Sequence, residues 1–153
     1  MRMSAADSSF SLLVERQMKV SPDDLFRAWT EQFGLWFSVP ETVHMRAQDG
    51  EPFFFETDFE GARYPHYGRF LQLTPGHLLE MTWLTSATLG AETVVRVQFA
   101  ANNEGALLTL THNGFPTEEL RDRHAEAWPK VLEHQDQALA KAYTVWTIDG
   151  GNG

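Results

Sequence analysis

The final third of the chain carries one apolar stripe at helical spacing, and this stripe limits the folds open to the sequence. A helix is predicted to open at Thr117, with Glu118 and Glu119 where the positive end of its dipole favours acidic side chains. The stripe contains Leu120, His124, Trp128, Val131, Leu132, Gln135, Leu139, Ala142 and Trp146. Pro129 predicts a kink or break, because it cannot donate to the carbonyl four residues earlier. A helix with one apolar face needs a broad apolar surface to cover it.

Most of the preceding chain alternates apolar and polar residues, which is the pattern of half-buried strands. The predicted strands are residues 10–20, 43–47, 53–59, 67–73, 79–83, 93–99 and 108–112. One face of the 53–59 strand is predicted to carry Phe53, Phe55 and Phe59. Asp49-Gly50 is a hairpin turn signal after the 43–47 segment. Short strands at such regular spacing favour one antiparallel meander.

A short helix is predicted between the first strand and the others. Ser21 can cap it, Pro22 suits its first position, and Gly34 ends it. Residues 35–37 predict a second short turn. The order of elements is therefore strand, two short helices, about six strands and a long helix, an α+β class.

This order predicts a cavity. The stripe of the last helix has only the concave face of the sheet to cover, and sheets twist and curl. A straight helix meets a curved sheet well at only some points, so the gap is either filled by large side chains or left open as a pocket. Eleven Phe and five Trp residues supply side chains that can do either.

Composition narrows the classes of function. Twelve basic against twenty-one acidic residues give a net charge of −9, which opposes binding to nucleic acid and to anionic membranes. The absence of cysteine excludes disulfides and thiol chemistry. We expect a cytoplasmic chain without membrane insertion, with residues 1–9 as a flexible start, 10–146 as a single domain and 147–153 as a disordered, Gly-rich tail.

Catalytic and metal sites are not predicted. The six histidines lack the spacing of metal ligands, and we expect no metal and no cofactor. The acidic pairs Asp23-Asp24 and Glu118-Glu119 lie where helix starts favour negative charge. A nucleophile with a paired base is not recognisable, so we find no catalytic residues in the sequence.

Two groups of residues are candidates for a ligand site. His124 and Gln135 are polar breaks in the apolar stripe, which either orient a ligand or find partners inside the fold. His112 should point inward at a strand end, and His66 and Tyr67 lie near a strand start. The candidate aromatic lining is Trp36, Phe37, Phe53, Phe55, Trp83 and Trp128. Plain core packing is the alternative for each aromatic residue.

Several motifs, in order and spacing, resemble one family. Residues 21–30 followed by Trp36, residues 68–83, residues 92–97, residues 108–115 and residues 124–128 are similar to segments of the activator of Hsp90 ATPase homologue family. That family belongs to the START-like, or SRPBCC, helix-grip superfamily. Ala127 and Pro52-Phe53 depart from its usual glycines.

The resemblance implies a helix-grip fold and modest functional expectations. Helix-grip proteins commonly bind lipids, polyketides or other hydrophobic molecules between helix and sheet, so we expect non-catalytic binding of a small hydrophobic or amphipathic ligand, with a possible link to stress. One alternative is a chaperone-associated module that contacts a chaperone or client protein. Another is an enzyme of cyclase or hydrolase type. The oligomeric state, monomer or homodimer, stays open.

Overall fold

The computed structural model describes the backbone of residues 9–152 and the side chains of residues 9–142. The elements, in chain order, are β1 (Phe10–Met18), α1 (Pro22–Thr30), β2 (Pro52–Phe59), β3 (Ala62–Thr74), β4 (Leu78–Thr85), β5 (Thr93–Asn102), β6 (Gly105–Phe115) and α2 (Glu118–Asn152). Short 3₁₀ turns lie at Phe33–Leu35, Pro40–Thr42 and Ser86–Thr88. The α+β class and the helix-grip architecture predicted from the sequence are confirmed.

The six strands form one antiparallel sheet in the order β1-β6-β5-β4-β3-β2. Strands β2 to β6 are a meander, and β1 closes the sheet beside β6, where Leu12 pairs with His112 and Met18 with Ala106. The β3–β4 register shifts between Phe70 and Gln72. Such an irregularity bends a sheet, and the bend makes one face concave.

Helix α1 begins where the sequence predicts. The Ser21 hydroxyl accepts a hydrogen bond from the Asp24 backbone N–H at 3.2 Å, and Pro22 occupies the first turn. Leu25, Ala28 and Trp29 are fully buried. The helix therefore presents its apolar face to the interior and its acidic start to solvent.

Helix α2 lies mainly against β1, at one edge of the sheet. Asp136, 2% exposed, accepts a hydrogen bond from the Lys19 backbone N–H at 2.8 Å, and its second oxygen lies 3.8 Å from Arg16. One turn from the start of α2, Arg121 donates to the Ser11 carbonyl at 3.1 Å. These polar contacts fix the helix along the β1 edge.

The core fills the space between the concave face and the two helices. Leu79, Met81, Val95, Val97, Leu108 and Leu110 come from the sheet, and Leu120, Leu132 and Leu139 come from α2. Apart from Trp146, which lies outside the described side chains, the apolar members of the predicted stripe are buried or half-buried. The inward sets predicted for β4, β5 and β6 are confirmed.

The predicted strand at residues 43–47 is wrong, because only His44 pairs, with Phe54. On one side of this bridge the Glu56 backbone N–H is taken by the Thr42 side chain at 2.9 Å. On the other side Pro52 has no N–H to donate. The segment therefore cannot continue as a ladder in either direction.

Two further expectations differ from the structure. Phe59 is 62% exposed, unlike Phe53 and Phe55, because β2 ends there in the hairpin turn of residues 60–61. The α2 backbone continues from Glu118 to Asn152, so Pro129 does not break the helix, whereas the alternative of a kink stays a prediction. Of the predicted flexible start, residues 1–9, residues 1–8 lie outside the described residues, so the domain bounds, with the predicted tail at residues 147–153, stay a prediction. Within the described chain, no helix is long and apolar enough to cross a membrane.

Removing the Asp136 carboxylate tests the anchor of α2. We expect Asp136→Ala to lower the free energy of unfolding by about 1–3 kcal/mol, because the Lys19 N–H and Arg16 lose a charged acceptor. Glu133→Ala is the matched control on the same helix, since Glu133 is exposed and should change stability by less than about 0.5 kcal/mol. Equal effects of the two substitutions in urea unfolding would contradict the anchor.

Candidate functional site

A cavity of about 500 Å³ lies between α2 and the β2–β4 side of the sheet. Its lining is aromatic and aliphatic, with two imidazoles and a few hydroxyls. The lining residues are Phe37, Thr57, Phe59, Tyr64, His66, Trp83, Thr85, Ser86, Ala87, His124, Ala127, Trp128 and Val131. Within the described part of the chain, this lining includes no Lys, Arg, Asp or Glu. The space suits a small, mostly apolar molecule.

Strand alternation and helical spacing place the cavity walls. Trp83 points inward from β4 because it shares the buried face with Leu79 and Met81. Trp128 and Val131 are three residues apart and lie on the same side of α2. The Phe37 ring, from the turn after α1, lies 6.1 Å from the Trp83 ring.

A chain of hydrogen bonds ties one wall of the cavity to the other. The Trp128 indole N–H donates to His112 Nδ1 at 3.0 Å. His112 Nε2 therefore carries the ring proton, and it donates to the Thr93 hydroxyl at 2.7 Å. That hydroxyl in turn donates to the Trp83 carbonyl at 2.6 Å. This series of hydrogen bonds joins α2 to β6, β5 and β4, and both ring nitrogens of His112 have a partner.

The two histidines of the lining share one hydrogen-bonding arrangement. His124 Nδ1 lies 2.9 Å from the Leu120 carbonyl, and His66 Nδ1 lies 3.0 Å from the Tyr64 carbonyl. A carbonyl can only accept, so each Nδ1 carries the proton and each Nε2 keeps a lone pair. Among the described residues, neither Nε2 has a hydrogen-bond partner. The described side-chain atoms that are both buried and unpaired do not include either nitrogen. Both nitrogens therefore meet accessible space.

Burial keeps all three of these imidazoles neutral. Desolvation lowers the pKa of His66 to about 4, although its bond to the Tyr64 carbonyl opposes the shift, and His124 adds a smaller lowering. Desolvation likewise lowers the pKa of His112 to about 3. The pKa of His124 is also lowered by burial, although its bond to the Leu120 carbonyl opposes the shift. At neutral pH the lining thus carries no full positive charge on these rings.

The structure brings five of the eleven predicted site residues into the lining. These five are Phe37, His66, Trp83, His124 and Trp128. The other six lie elsewhere. Trp36, Phe53 and Phe55 pack in the core, and Trp36 donates its indole N–H to the Ala28 carbonyl at 3.0 Å. His112 lies behind Trp128, within the hydrogen-bond chain. Tyr67 points to the other face of the sheet, where its ring lies 5.3 Å from that of Phe54.

Gln135, the sixth, is an unusual side chain. It is fully buried, and neither its amide nitrogen nor its amide oxygen has a hydrogen-bond partner. It follows Trp128 and Val131 on the same stripe of α2, although it does not line the cavity. Most buried amides are paired, so the stripe carries a polar group whose burial opposes folding.

Sequence reasoning missed the residues at the mouth of the cavity. Phe59 and Tyr64 flank the β2–β3 turn, and Ser86 and Ala87 lie in the turn after β4. The available signal in the sequence was Phe59 directly before Glu60-Gly61, because large aromatic residues are uncommon at a hairpin turn exposed to solvent. Ala127, an exposed residue of α2, is also part of the lining. Its small side chain leaves the mouth open.

Among the described residues no three His, Cys, Asp or Glu side chains are grouped closely enough to hold a metal ion. The two lining histidines and a few hydroxyls can therefore bind a ligand by hydrogen bonds, within a wall that is otherwise apolar. The arrangement also leaves two unprotonated imidazole nitrogens as proton acceptors.

Comparison with known proteins supports this architecture. A family model described as activator of Hsp90 ATPase homolog 1-like protein matches residues 19–140. No curated protein matches the chain in sequence.

Solved structures share the fold at low sequence identity. A protein from Mesorhizobium loti aligns with a TM-score of 0.70 and 21% identity over 86% of this chain and 98% of its own. A protein from Rhodobacter sphaeroides aligns at 0.69 and 24% identity over 90% and 95%. An AHSA1-like protein from Aeromonas hydrophila aligns at 0.68 and 17% identity over 87% and 94%. At such identities the likeness establishes the fold alone.

The lowered histidine pKa values predict a loss of stability in mild acid. Unfolded histidines take up protons below their ordinary pKa of 6.5, whereas His112 in the folded chain does so only near 3. The contribution of neutral His112 to the free energy of unfolding is therefore fully present above pH 6.5 and is lost as the pH falls toward 3. At pH 5 the loss from this residue is about 2 kcal/mol. His112→Gln should be less stable at pH 7.5, yet its unfolding free energy should change by about 2 kcal/mol less between pH 7.5 and 5. Parallel pH profiles would contradict a neutral buried His112.

Replacing the unpaired amide predicts a gain in stability. We expect Gln135→Met, which keeps the length of the side chain, to raise the free energy of unfolding by about 1–3 kcal/mol, because an unsatisfied buried group is removed. Gln137→Met is the control, since Gln137 is exposed on the same helix and should change stability by less than about 0.5 kcal/mol. A loss of stability in Gln135→Met would show that the amide finds a partner in solution.

Proposed function

The chain belongs to the activator of Hsp90 ATPase homolog 1-like family, and we propose that its function is the non-catalytic binding of a small, mostly apolar molecule in the cavity under α2. The observation that carries the proposal is the composition of the cavity wall. Five aromatic side chains surround about 500 Å³ of space, and its ionisable groups are two neutral histidines and one tyrosine. Apolar walls with a few convergent polar groups are typical of ligand pockets.

The exposed rim supports access to this space from solvent. Phe59 is 62% exposed and Tyr64 is 38% exposed, on either side of the β2–β3 turn. Ser86 and Ala87, across the opening, are also exposed. A purely structural core would bury such aromatics, whereas a ligand seated between them would cover part of their surface.

A rigid inner wall also favours binding. Trp83 and Trp128 lie 5.6 Å apart between ring centroids, and the bonded chain through His112 and Thr93 links them. A pocket whose walls are already held in place loses little conformational entropy when a ligand enters. The proposal therefore requires no rearrangement of the sheet.

The family description leaves a chaperone-linked role as the second candidate. That role would use a continuous exposed apolar surface outside the cavity. Of the other large apolar side chains exposed in the described chain, Leu13 lies on β1 at one side of the sheet, Tyr67 and Leu71 lie on β3, three strands away, and Leu35 and Leu89 lie in turns. Phe59 and Tyr64 belong to the cavity rim. This distribution favours the ligand site over a protein-binding patch.

A residue that closes the cavity mouth should abolish binding. We expect N-phenyl-1-naphthylamine, a neutral fluorescent probe, to bind the wild-type protein with increased emission and to quench tryptophan fluorescence through Trp83 and Trp128. Ala127→Trp should weaken its binding at least tenfold, because a large ring at this small lining residue would occupy the opening.

Glu133→Trp is the matched control for this substitution. Glu133 is an exposed residue of α2 and lies outside the lining, so its replacement adds the same ring without closing the cavity. Equal binding by the two variants would place the probe elsewhere on the surface. Absence of any saturable binding to the wild-type protein, together with thermal stability that no apolar compound raises, would refute the proposed function.

A further inference from the structure

We propose that the cavity selects neutral ligands that carry a hydrogen-bond donor, such as a phenol or an alcohol on an apolar body, and that it discriminates against carboxylates. The inference rests on the proposed function and specifies its ligand class. The selecting atoms are the Nε2 nitrogens of His66 and His124, which act as hydrogen-bond acceptors in the cavity wall.

The first step is the direction of the two imidazoles. In both rings Nδ1–H donates to a backbone carbonyl: His66 to that of Tyr64, and His124 to that of Leu120. Rotation of either ring by 180° would break this bond. Each Nε2 is therefore held as an acceptor, and a ligand O–H or N–H is the group that satisfies it.

The second step is the charge of the wall. Both rings are neutral at physiological pH because burial lowers the pKa of each. No Lys or Arg side chain belongs to the described lining, so a bound carboxylate would lose its hydration without meeting a full positive charge. The oxygens of a carboxylate would also face the lone pairs of two nitrogens.

The third step concerns the hydroxyls of the wall. Thr85 accepts from the Ala87 backbone N–H at 2.9 Å, and no hydrogen bond is formed by Thr57 or Ser86 with other described side chains. These groups can donate as well as accept, so they do not decide between ligand classes. The two Nε2 nitrogens can only accept, so they distinguish ligands that have a donor from those that lack one. A ligand without a donor excludes water from these acceptors and leaves them unpaired, which weakens its binding.

The tyrosine of the rim does not change this conclusion. Tyr64 is 38% exposed at the rim, and its hydroxyl can donate as well as accept, like the other hydroxyls of the wall. His66, in contrast, is 8% exposed and lies within the aromatic wall, its ring 4.9 Å from that of Phe55 and 5.2 Å from that of Trp83. A donor group on the ligand is thus the partner available to its Nε2.

The test uses three naphthalenes of nearly equal size at pH 7.5: 2-naphthol, 2-methoxynaphthalene and 2-naphthoate. Each competes with N-phenyl-1-naphthylamine for the wild-type protein. The expected order is naphthol first, with methoxynaphthalene about 5-fold weaker for lack of a donor and naphthoate at least 10-fold weaker than naphthol. In the double variant His66→Phe with His124→Leu, the preference for naphthol over methoxynaphthalene should shrink below about 2-fold.

His134→Leu is the matched control, because His134 is exposed on α2 and lies outside the lining. It should keep the full preference. An independent readout is the Nε2 resonance in long-range ¹H–¹⁵N spectra of the wild-type histidines, which should move on addition of naphthol and not on addition of methoxynaphthalene. This measurement needs no variant to fold.

Failure of the inference and failure of the proposed function give different results. Naphthoate binding as tightly as naphthol, or a naphthol preference that survives both histidine substitutions, would overturn the selectivity while leaving a working ligand site. If neither the fluorescent probe nor any naphthalene binds the wild-type protein, the proposed function fails and this inference fails with it.

Discussion

The indole–imidazole hydrogen bond between Trp128 and His112 is the contact on which the site depends. It crosses from the helix to the sheet, and it is completed by Thr93 and the Trp83 carbonyl. Every polar side-chain atom in this series of hydrogen bonds has a partner, so the fully buried His112 is stable in its neutral form. The same hydrogen bonds hold Trp83 and Trp128 in place in the cavity wall, so the shape of the cavity depends on polar contacts inside an apolar core.

The position of α2 explains why space remains over the β2–β4 side of the sheet. Asp136 and Arg121 bind the helix to the backbone of β1 and the residue that follows it, at one edge of the sheet. Strand β2 forms the opposite edge, four strands beyond β6. A single helix cannot cover both edges of a bent six-stranded sheet, and the aromatic rings of Phe33, Trp36 and Phe37 fill only part of the remainder. The cavity is what is left over the β2–β4 side.

Much of this architecture could be predicted from the sequence, because its signals are local and agree with one another. Strand alternation located the inward faces of β4, β5 and β6, and helical spacing placed His124, Trp128 and Gln135 on one stripe. The spurious strand at residues 43–47 had the right composition but the wrong neighbours. Its pairing fails because the Thr42 side chain takes the Glu56 backbone N–H and Pro52 has no N–H to donate, and only the fold brings Glu56 and Pro52 beside this segment.

The composition of the site was harder to predict, since it depends on three-dimensional neighbours. Face alternation separates His66, inside, from Tyr67, outside, but the sequence does not fix where the strand register begins. His112 and His124 are both predicted to lie on inward faces, yet His112 is enclosed by partners and His124 lines the cavity. The anchoring role of Asp136 arises from a backbone N–H more than a hundred residues away in sequence, which no local pattern could indicate.

We expect the space under α2 to be a preformed cavity that stays open in solution, rather than a gap that side chains close. Xenon diffraction on crystals of the protein under pressure tests it most directly, because xenon enters preformed apolar cavities. We expect a xenon peak enclosed by Trp83, Trp128 and Val131. Crystals that take up no xenon there, with Phe37 and Phe59 turned inward to fill the space, would contradict it.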